Sequence, residues 1–431
     1  MVTFQMIPAL VLAAAMADWV PVRWFTSDPA SLDLLGATPF NCVLLDAPLW
    51  DGRFVSRAHE RGIAVAGVIG GAEDAARRAA QAAEQGLDAL VLEGARRGPV
   101  SPPVIELRPR GDLATAPAEG ITGTWQGVWP GINPREEEGA ALAGPTSAPW
   151  LDTNSGFLRY LRSRTRARLW MANRPPEGRA YPAARYLQAM ADAALAGARW
   201  VVALDKDFER RLAARDARAI REWTEIGAFA AFLERQSAWR GWPSYGNLGL
   251  AQDPGPAAFV SGGVLDMIAV QHIPVRPVTA ETAPGLPLVV NLTGKPAGAQ
   301  VEVAPAAGWK FPLASADRFA IRKEDLPELE ELWKQVNQAA GRRNFGIRLF
   351  NGAGMLSHPV ASPDGKRLAI PIVNYTGYEV EAVTVHLLGR RQKARLLAPG
   401  REARQLTLYP TAGGSGLEIP SAGVMVVVEV E

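Results

Sequence analysis

Sulfur and imidazole side chains are scarce in this chain. One cysteine, Cys42, occurs in 431 residues, so an intramolecular disulfide is excluded. It lies in the apolar run NCVLLD, where a buried, unreactive thiol is the default. The histidines His59, His272, His358 and His386 are scattered and lack metal-ligand spacing. The sequence therefore predicts neither a disulfide framework nor a metal site.

An excess of one charge and long apolar runs are lacking as well. The chain has 46 basic and 44 acidic residues, a net charge of +2, so a nucleic-acid partner is not expected. The apolar run at residues 7–15 is too short for a membrane span. It leads into Ala15-Met16-Ala17, an A-x-A cleavage pattern, although no Lys or Arg precedes it. The pattern predicts a signal peptide at 1–17 and an exported protein, secreted or periplasmic in a bacterium, without membrane contact after cleavage.

Eight short apolar segments alternate with helical ones between residues 20 and 243. Near-continuous apolar strands are typical of a parallel sheet covered on both faces, and eight of them with interleaved helices predict a (β/α)8 TIM barrel. The connections on either side of the fifth strand are too short for ordinary crossover helices, so the barrel should be irregular there. The predicted strands are VRWFTS (22–27), NCVLLDA (41–47), IAVAGVIG (63–70), ALVLEG (89–94), VIELRP (104–109), ITGTWQG (121–127), ARLWMAN (167–173) and RWVVALD (199–205).

The sequence pattern changes after the predicted barrel. Residues 244–345 mix short strands and helices and predict a small α/β module, built like half of a doubly wound, flavodoxin-like sheet. Its glycines do not form G-x-G-x-x-G after a strand, so no nucleotide cofactor is expected. Residues 346–431 show short strands at regular spacing with Gly or Pro turns, which predict an antiparallel β-sandwich. The predicted mature domains are therefore 18–243, 244–345 and 346–431.

The last third of the chain resembles a known family. The segments VNYTGYEVEAVTVHLLG, LLAPG and VVVEVE are similar to the terminal sandwich of clan A glycoside hydrolases, the β-galactosidases and their relatives. The segment SGGVLDMIAVQHIPVRPV resembles the amidotransferase-like middle module of these enzymes, which is non-catalytic and often helps to build trimers. The order of barrel, module and sandwich also matches. The resemblance implies a carbohydrate substrate and a possible homotrimer.

The resemblance also implies two catalytic carboxylates at the C-terminal face of the barrel. The family carries an acid/base Glu, usually after Asn, at the end of strand four and a nucleophilic Glu at the end of strand seven. Glu93, which ends ALVLE, matches the first position, but Leu92 precedes it. Strand seven ends at Asn173, and the nearest carboxylate is Glu177. The sequence therefore lacks the second half of the family's retaining mechanism.

Further carboxylates end other predicted strands, where barrel enzymes carry their chemistry. Glycoside hydrolysis needs two carboxyl groups around one bond. Asp205, at the end of strand eight, is the first candidate partner of Glu93, with Glu177 and Asp152 as further candidates. Asp46 ends strand two and is a candidate substrate contact. Each has a structural alternative, because Asp205 and Asp152 could cap a following helix and Asp46 could stabilise a turn.

Aromatic, amide and charged side chains near the strand ends are candidates for sugar binding. An aromatic ring stacks on a sugar face while amides meet its hydroxyls. The structural alternatives are core tryptophans, a helix cap at Asn154 and an ion pair between Glu106 and Arg108, which share one face of strand five. The candidate residues are Trp24, Asp46, Glu106, Arg108, Trp125, Gln126, Trp129, Asn154 and Asn173.

These patterns favour one hypothesis and leave two alternatives. The leading hypothesis is an exported glycoside hydrolase-like protein that cleaves an oligo- or polysaccharide with Glu93 as acid/base. The first alternative is a carbohydrate-binding protein without hydrolysis, because the Glu expected at the end of strand seven is missing. The second is a structural subunit that assembles through its middle module.

Overall fold

The structure is a computed structural model that describes most of the chain. Residues up to 15 of the predicted signal peptide, and most of SGGVLDMIAVQHI, lie outside the described residues. In the described part, no helix is long and apolar enough to cross a membrane. The described residues are 16–71, 75–94, 101–116, 120–132, 135–137, 140–142, 151–257, 272–306 and 326–431.

The first half of the chain contains twelve described strands. They are β1 (Pro21–Trp24), β2 (Cys42–Asp46), β3 (Ala64–Gly70), β4 (Ala89–Glu93), β5 (Val104–Leu107), β6 (Ile121–Thr124), β7 (Gly131–Ile132), β8 (Arg135–Glu137), β9 (Ala140–Leu142), β10 (Leu151–Asp152), β11 (Arg168–Met171) and β12 (Arg199–Trp200). Eight of them form one parallel sheet in the order β1-β2-β3-β4-β5-β6-β11-β12. The sheet closes beyond β12, where the Arg23 amide donates to the Val202 carbonyl at 2.8 Å. The predicted TIM barrel and all eight of its strands are confirmed.

The helices follow their local sequence signals. Asp51 and Asp205 cap the N-termini of α1 (Gly52–His59) and α6 (Lys206–Ala213) through their side chains. The connection between β5 and β6 is short, and the helix that it forms, α3 (Arg110–Thr115), has only six residues. The described α-helices are α1 (Gly52–His59), α2 (Ala75–Glu84), α3 (Arg110–Thr115), α4 (Ser155–Arg164), α5 (Ala183–Leu195), α6 (Lys206–Ala213), α7 (Ala217–Arg235), α8 (Pro254–Ala257) and α9 (Leu326–Ala340).

The chain divides into two compact units. The first contains all eight barrel strands, and the second contains α4, α5 and the chain from Phe232 onward. The predicted limits at 243/244 and 345/346 stay predictions. The first unit comprises Met1–Gly127, Thr165–Tyr181 and Ala198–Ala231, and the second comprises Val128–Arg164, Pro182–Gly197 and Phe232–Glu431.

The barrel interior is filled by small and branched apolar side chains. Because side chains alternate between the two faces of a strand, every second residue of each strand points inward. The Cys42 thiol is fully buried there, and burial raises its pKa well above the usual value, which suits an inert thiol. The inner residues are Cys42, Leu44, Ala66, Val68, Ala89, Val91, Ile105, Leu107, Trp170, Ala172 and Val201, with Met16 and Trp19 packed against them.

The second unit contains a small parallel sheet of four strands. They are β13 (Leu248–Ala251), β14 (Val275–Val278), β15 (Leu288–Asn291) and β16 (Glu302–Val303). Their order is β14-β13-β15-β16, and every pairing is parallel. This arrangement agrees with the predicted doubly wound module.

The C-terminal part forms two antiparallel sheets, as predicted. Their strands are β17 (Ile347–Phe350), β18 (Met355–Ser357), β19 (Val360–Ala361), β20 (Leu368–Asn374), β21 (Val380–Leu388), β22 (Ala394–Leu397), β23 (Arg404–Leu406), β24 (Tyr409–Thr411), β25 (Gly414–Ala422) and β26 (Met425–Val430). One sheet has the order β17-β21-β25-β24, and the other has the order β18-β20-β26-β22-β23, with β19 paired to β20. Buried residues of both sheets, such as Ile370, Val385 and Val428, form one apolar core.

Candidate active site

Two carboxylates and two arginines meet at the C-terminal mouth of the barrel. Asp46 ends β2 and Glu93 ends β4, and both follow the inward-facing register of their strands. Arg23, from β1, contacts Glu93 even though β2 and β3 lie between the two strands, so its side chain must cross the barrel interior. Arg174, three residues beyond β11, reaches the same two carboxylates.

The guanidinium groups bind both carboxylates at once. Arg23 Nη1 donates to Glu93 Oε1 at 2.6 Å, and its Nη2 donates to Glu93 Oε2 at 3.3 Å and also to Asp46 Oδ1. Arg174 donates from Nη1 to Asp46 Oδ2 at 3.1 Å and from Nη2 to Asp46 Oδ1 at 3.0 Å. These charge-assisted hydrogen bonds fix the orientation of the acid groups.

The two carboxylates lie close together. Arg174 Nη2 is 3.0 Å from Asp46 Oδ1 and 3.5 Å from Glu93 Oε2. Because both distances end on one nitrogen, these oxygens are at most about 6.5 Å apart, within reach of the roughly 5–5.5 Å separation used by retaining glycosidases. The sequence had paired Glu93 with Asp205 instead.

The four side chains differ in exposure. Side-chain exposure is 6% for Arg23, 12% for Glu93, 35% for Asp46 and 51% for Arg174. Burial raises the pKa of Glu93 above its usual 4.5, and the charge of Asp46 adds to the rise, while Arg23 opposes it by charge and hydrogen bonding. The mouth therefore combines a nearly buried acid of raised pKa with a carboxylate open to solvent.

We expect the raised pKa of Glu93 to be visible in protein stability. Ionisation of this buried acid lowers the free energy of unfolding. The stability that the protonated acid contributes is therefore fully present below pH 4.5 and is lost as the pH rises through the higher pKa of the folded state. Glu93→Gln does not ionise. Its melting temperature relative to the wild type should therefore be more favourable at pH 7 than at pH 4, as measured by circular dichroism. An equal difference at both pH values would contradict the shift.

A cleft of about 360 Å³ opens beside this cluster. Its size is that of a small-molecule site. Glu209 lines it on α6, and burial, together with the charges of Asp205 and Asp46, raises its pKa against the effect of Lys206. The lining residues are Arg23, Trp24, Phe25, Asp46, Leu49, Arg174, Pro175, Pro176, Glu177, Gly178, Arg179, Ala180, Ala203, Leu204, Asp205, Lys206, Asp207 and Glu209.

Asp205 lines the cleft but holds its own loop and helix in place. Its Oδ1 accepts from the amides of Asp207 and Phe208 at 3.1 and 3.0 Å, which caps α6, and its Oδ2 accepts from the Tyr181 amide at 3.0 Å. This is the structural alternative that the sequence offered for Asp205. Glu177 is exposed on the cleft wall.

Of the predicted sugar-binding residues in the barrel, some border the cleft and others bind backbone groups of the protein. Trp24 is buried, and its Nε1 donates to Ser31 Oγ at 2.8 Å, although the residue borders the cleft. Gln126 Oε1 accepts from the Arg110 amide at 2.9 Å, and Asn173 Nδ2 donates to the Gly127 carbonyl at 2.9 Å. These two amides therefore have structural partners.

The other candidates of the barrel unit are accounted for by packing. Trp125 is half-buried against the inner core, next to Gly94. Glu106 and Arg108 form an ion pair, with Arg108 Nε 2.8 Å from Glu106 Oε2. Because Ile105 and Leu107 point into the barrel, Glu106 points to the outer face of β5. The structure thus favours the ion-pair interpretation of these two residues.

Three candidates belong to the second unit. Asn154 is fully buried, and its backbone and side-chain nitrogens donate to Asp192 Oδ2 at 2.9 and 3.0 Å. Asp192 Oδ1 also accepts from the Tyr375 hydroxyl at 2.7 Å, which makes a buried polar network. Trp129 packs edge-on against Tyr186. Asp152 ends the two-residue strand β10, and its side chain lies outside the described residues.

Arg23, Arg174 and Glu209 are site residues that the sequence interpretation missed. Arg23 carried a usable signal, because a single charge inside the apolar strand PVRW parallels Glu93 in ALVLE. Arg174 lies in a turn-like sequence after strand seven, and Glu209 lies in a helix-like sequence after strand eight. Neither sequence contains a local pattern that indicates a site residue. No group of three or more His, Cys, Asp or Glu that could hold a metal ion occurs among the described residues.

Comparison with solved structures defines the class of fold. α-L-fucosidase isoenzyme 2 from Paenibacillus thiaminolyticus aligns over 96% of this chain and 99% of its own, with a TM-score of 0.58 and 10% identity. A rhamnosidase from Novosphingobium sp. PP1Y aligns over 82% of this chain and 38% of its own, with a TM-score of 0.43 and 12% identity, a likeness too low to carry an argument. No protein-family model and no curated protein matches the sequence. The chain therefore has a fold similar to that of this α-L-fucosidase, and at 10% identity the comparison shows the fold alone.

Proposed function

We propose that this protein is a glycoside hydrolase whose reacting carboxylates are Asp46 and Glu93. The observation that carries the proposal is their common binding to Arg23 and Arg174 at the mouth of a TIM barrel. Catalytic residues of such barrels lie at this end of the strands. The α-L-fucosidase of similar fold supports a carbohydrate substrate.

The two carboxyl groups have different roles in this proposal. Asp46 is open to the cleft and serves as the ionised group that attacks the sugar or activates water. Glu93 has the raised pKa required of an acid that donates a proton to the leaving oxygen and later recovers it. Their separation favours the retaining form of the reaction. Arg23 and Arg174 hold the pair and stabilise negative charge.

Hydrolysis of a panel of aryl glycosides, including an aryl α-L-fucoside, tests the proposal. We expect turnover by the wild type and a loss of at least about 100-fold in kcat for Asp46→Asn and for Glu93→Gln, the usual scale for removing an acid or base. Glu60→Gln, which changes an exposed carboxylate paired with Arg57 outside the cleft, should retain full activity.

Two results would contradict the assignment. Full activity of Glu93→Gln with loss in Glu209→Gln would move the acid role to Glu209, a carboxyl of raised pKa that lines the cleft itself. Wild type that turns over no glycoside but binds sugars would favour the second candidate, a carbohydrate-binding protein. That candidate is supported by Glu93 being nearly buried and held by two arginines.

Export and assembly belong to the same proposal. The apolar run and A-x-A pattern support a signal peptide and a secreted or periplasmic location. The resemblance of the middle module supports a homotrimer. Both stay predictions.

A further inference from the structure

The four-stranded sheet of the sandwich, β17-β21-β25-β24, carries aromatic side chains on its outer face. Val385 and Leu387 of β21 point into the sandwich core, so His386 between them points outward. By the same alternation Phe350, which follows the inward-facing Leu349 on β17, also points outward. Aromatic groups therefore lie on the side of this sheet that faces away from the core.

Three rings form a row on this face, and Phe350, His386 and Tyr409 are called the aromatic strip below. The His386 ring stands edge-on to both neighbours, with its centroid 4.8 Å from that of Phe350 and 6.3 Å from that of Tyr409. Phe350 is 42% exposed and Tyr409 40% exposed. Among the described residues, they are two of only four large hydrophobic side chains that are exposed. The two ends of the strip are therefore accessible to a ligand.

A glycine holds one end of the strip in place. Tyr409 on β24 is paired with Gly416 on β25, and a Cβ added to Gly416 would overlap the Tyr409 ring. A glycine inside a strand is typical of a site where another group approaches the backbone closely. The ring is also held from the side by His386. Because these contacts order Tyr409 before any ligand arrives, stacking on it would cost little side-chain entropy.

Polar side chains flank the aromatic strip on the same face. Arg348 pairs with His386 in the strand register, and Thr384 lies opposite both Phe350 and Glu418. The guanidinium carbon of Arg348 is 5.7 Å from the ring centroid of Phe350. These three neighbours supply hydrogen-bond donors and acceptors. Because they include one cation and one anion, they favour an uncharged ligand over a polyanion.

The size of the strip favours a sugar chain over a protein partner. A specific protein interface buries about 800 Å² on each side, whereas the exposed apolar groups here are essentially two rings. Addition of a partner strand at the edge strand β24 is opposed by Pro410, which has no amide hydrogen. Aromatic rings stack on the apolar faces of sugars, while neighbouring polar groups bind the hydroxyls.

We propose that the aromatic strip binds an uncharged polysaccharide chain. Phe350 and Tyr409 stack on its sugar rings. Arg348, Thr384 and Glu418 bind its hydroxyl groups. This site is distinct from the barrel cleft, goes beyond the proposed hydrolysis and does not depend on it.

Affinity electrophoresis of the full chain in native gels tests the site. The gels would contain xylan, β-glucan, galactan or galactomannan as uncharged probes, or alginate as a polyanion. The Asp46→Asn variant serves as the parent, so that no probe is degraded. We expect at least one uncharged polysaccharide to retard the parent, and Phe350→Ala and Tyr409→Ala to bind it at least about tenfold more weakly, the scale of losing one stacked ring.

Two further variants distinguish stacking from a general surface effect. Tyr409→Phe keeps the ring and should bind as the parent does. Tyr378→Ala removes a tyrosine that is 68% exposed on the turn between β20 and β21, outside the aromatic strip, and should also bind as the parent does. The exposed Phe350 makes few contacts, so Phe350→Ala should keep the melting temperature of the parent, and this variant decides if Tyr409→Ala does not fold.

Several results would overturn the proposal. They are no retardation of the parent by any uncharged polysaccharide, retardation by alginate alone, unchanged binding in Phe350→Ala, or equal weakening in Tyr378→Ala. Self-association of the parent that Phe350→Ala abolishes, measured by sedimentation velocity, would show instead that a second copy covers the strip. Polysaccharide binding by the parent, with no glycoside hydrolysed by the wild type, would overturn only the proposed hydrolysis. Hydrolysis by the wild type without polysaccharide binding by the parent would overturn only the proposed strip site.

Discussion

Replacing Arg23 with alanine should lower the free energy of unfolding by about 3–5 kcal/mol at pH 7, the usual cost of removing one partner from a buried ion pair. The side chain is 6% exposed and binds both Glu93 and Asp46. Without it, two carboxylates remain close together with Arg174 as their shared cation. The loss should be measured by urea unfolding.

The pH dependence of this variant carries the diagnostic information. Arg23 lowers the pKa of Glu93, so its removal lets burial and Asp46 raise that pKa further. At pH 4 Glu93 is then protonated, and the destabilisation should be clearly smaller than at pH 7. An equal loss at both pH values would show that Arg23 acts by packing rather than by charge.

Two further variants are matched to Arg23→Ala. The double variant Arg23→Ala/Glu93→Gln removes the buried charge as well as its partner, and should recover part of the stability at pH 7. Arg61→Ala breaks the exposed pair with Asp33 and should cost far less stability than Arg23→Ala, because solvent screens such pairs.

Replacing Gly123 with alanine should destabilise the barrel by about 3 kcal/mol or more, at the upper end for overpacked cores. Gly123 lies in β6 beside β11. A Cβ at this position would lie 1.9 Å from the Trp170 carbonyl oxygen and 3.0 Å from Leu107 Cδ2. Because the closer contact is to backbone, relief requires β6 and β11 to separate.

Gly70→Ala is the matched control for this experiment. Gly70 also lies in a barrel strand, at the end of β3, yet an added Cβ there meets no described atom within 4 Å. Its free energy of unfolding should stay within about 0.5 kcal/mol of the wild type, as for substitutions that touch nothing. Similar urea midpoints for Gly123→Ala and the wild type would mean that β6 and β11 are not packed as described.

The arginines change how the mouth of the barrel is interpreted. The sequence lacks the Glu that the glycoside hydrolases it resembles carry at the end of strand seven, and Asp205 was the predicted substitute. In the structure, Arg174 extends from that end and binds Asp46 and Glu93, while Asp205 caps α6. The acid pair that geometry brings together is therefore the one at the ends of strands two and four.

Much of the fold could be predicted because its signals are local. Strands such as NCVLLDA and ALVLEG are apolar on both faces, and this pattern is required when a parallel sheet is covered by helices outside and filled by side chains inside. The sandwich strands were equally clear from their spacing and turns. The cap at Asp205 was also foreseeable, since an Asp after a strand and before a helix is a local motif.

The sequence by itself determined the barrel, the parallel module, the sandwich and the place of Glu93 at a strand end. Periodicity and turn chemistry act over a few residues, so they can be seen without the fold. Only the tertiary structure decided which side chains lie beside Glu93, namely Arg23, Asp46 and Arg174. Asp46 and Arg174 are 128 positions apart in the chain. They meet because closure of the sheet brings the ends of β2, β4 and β11 around one mouth, and no local pattern encodes which charges face each other across it.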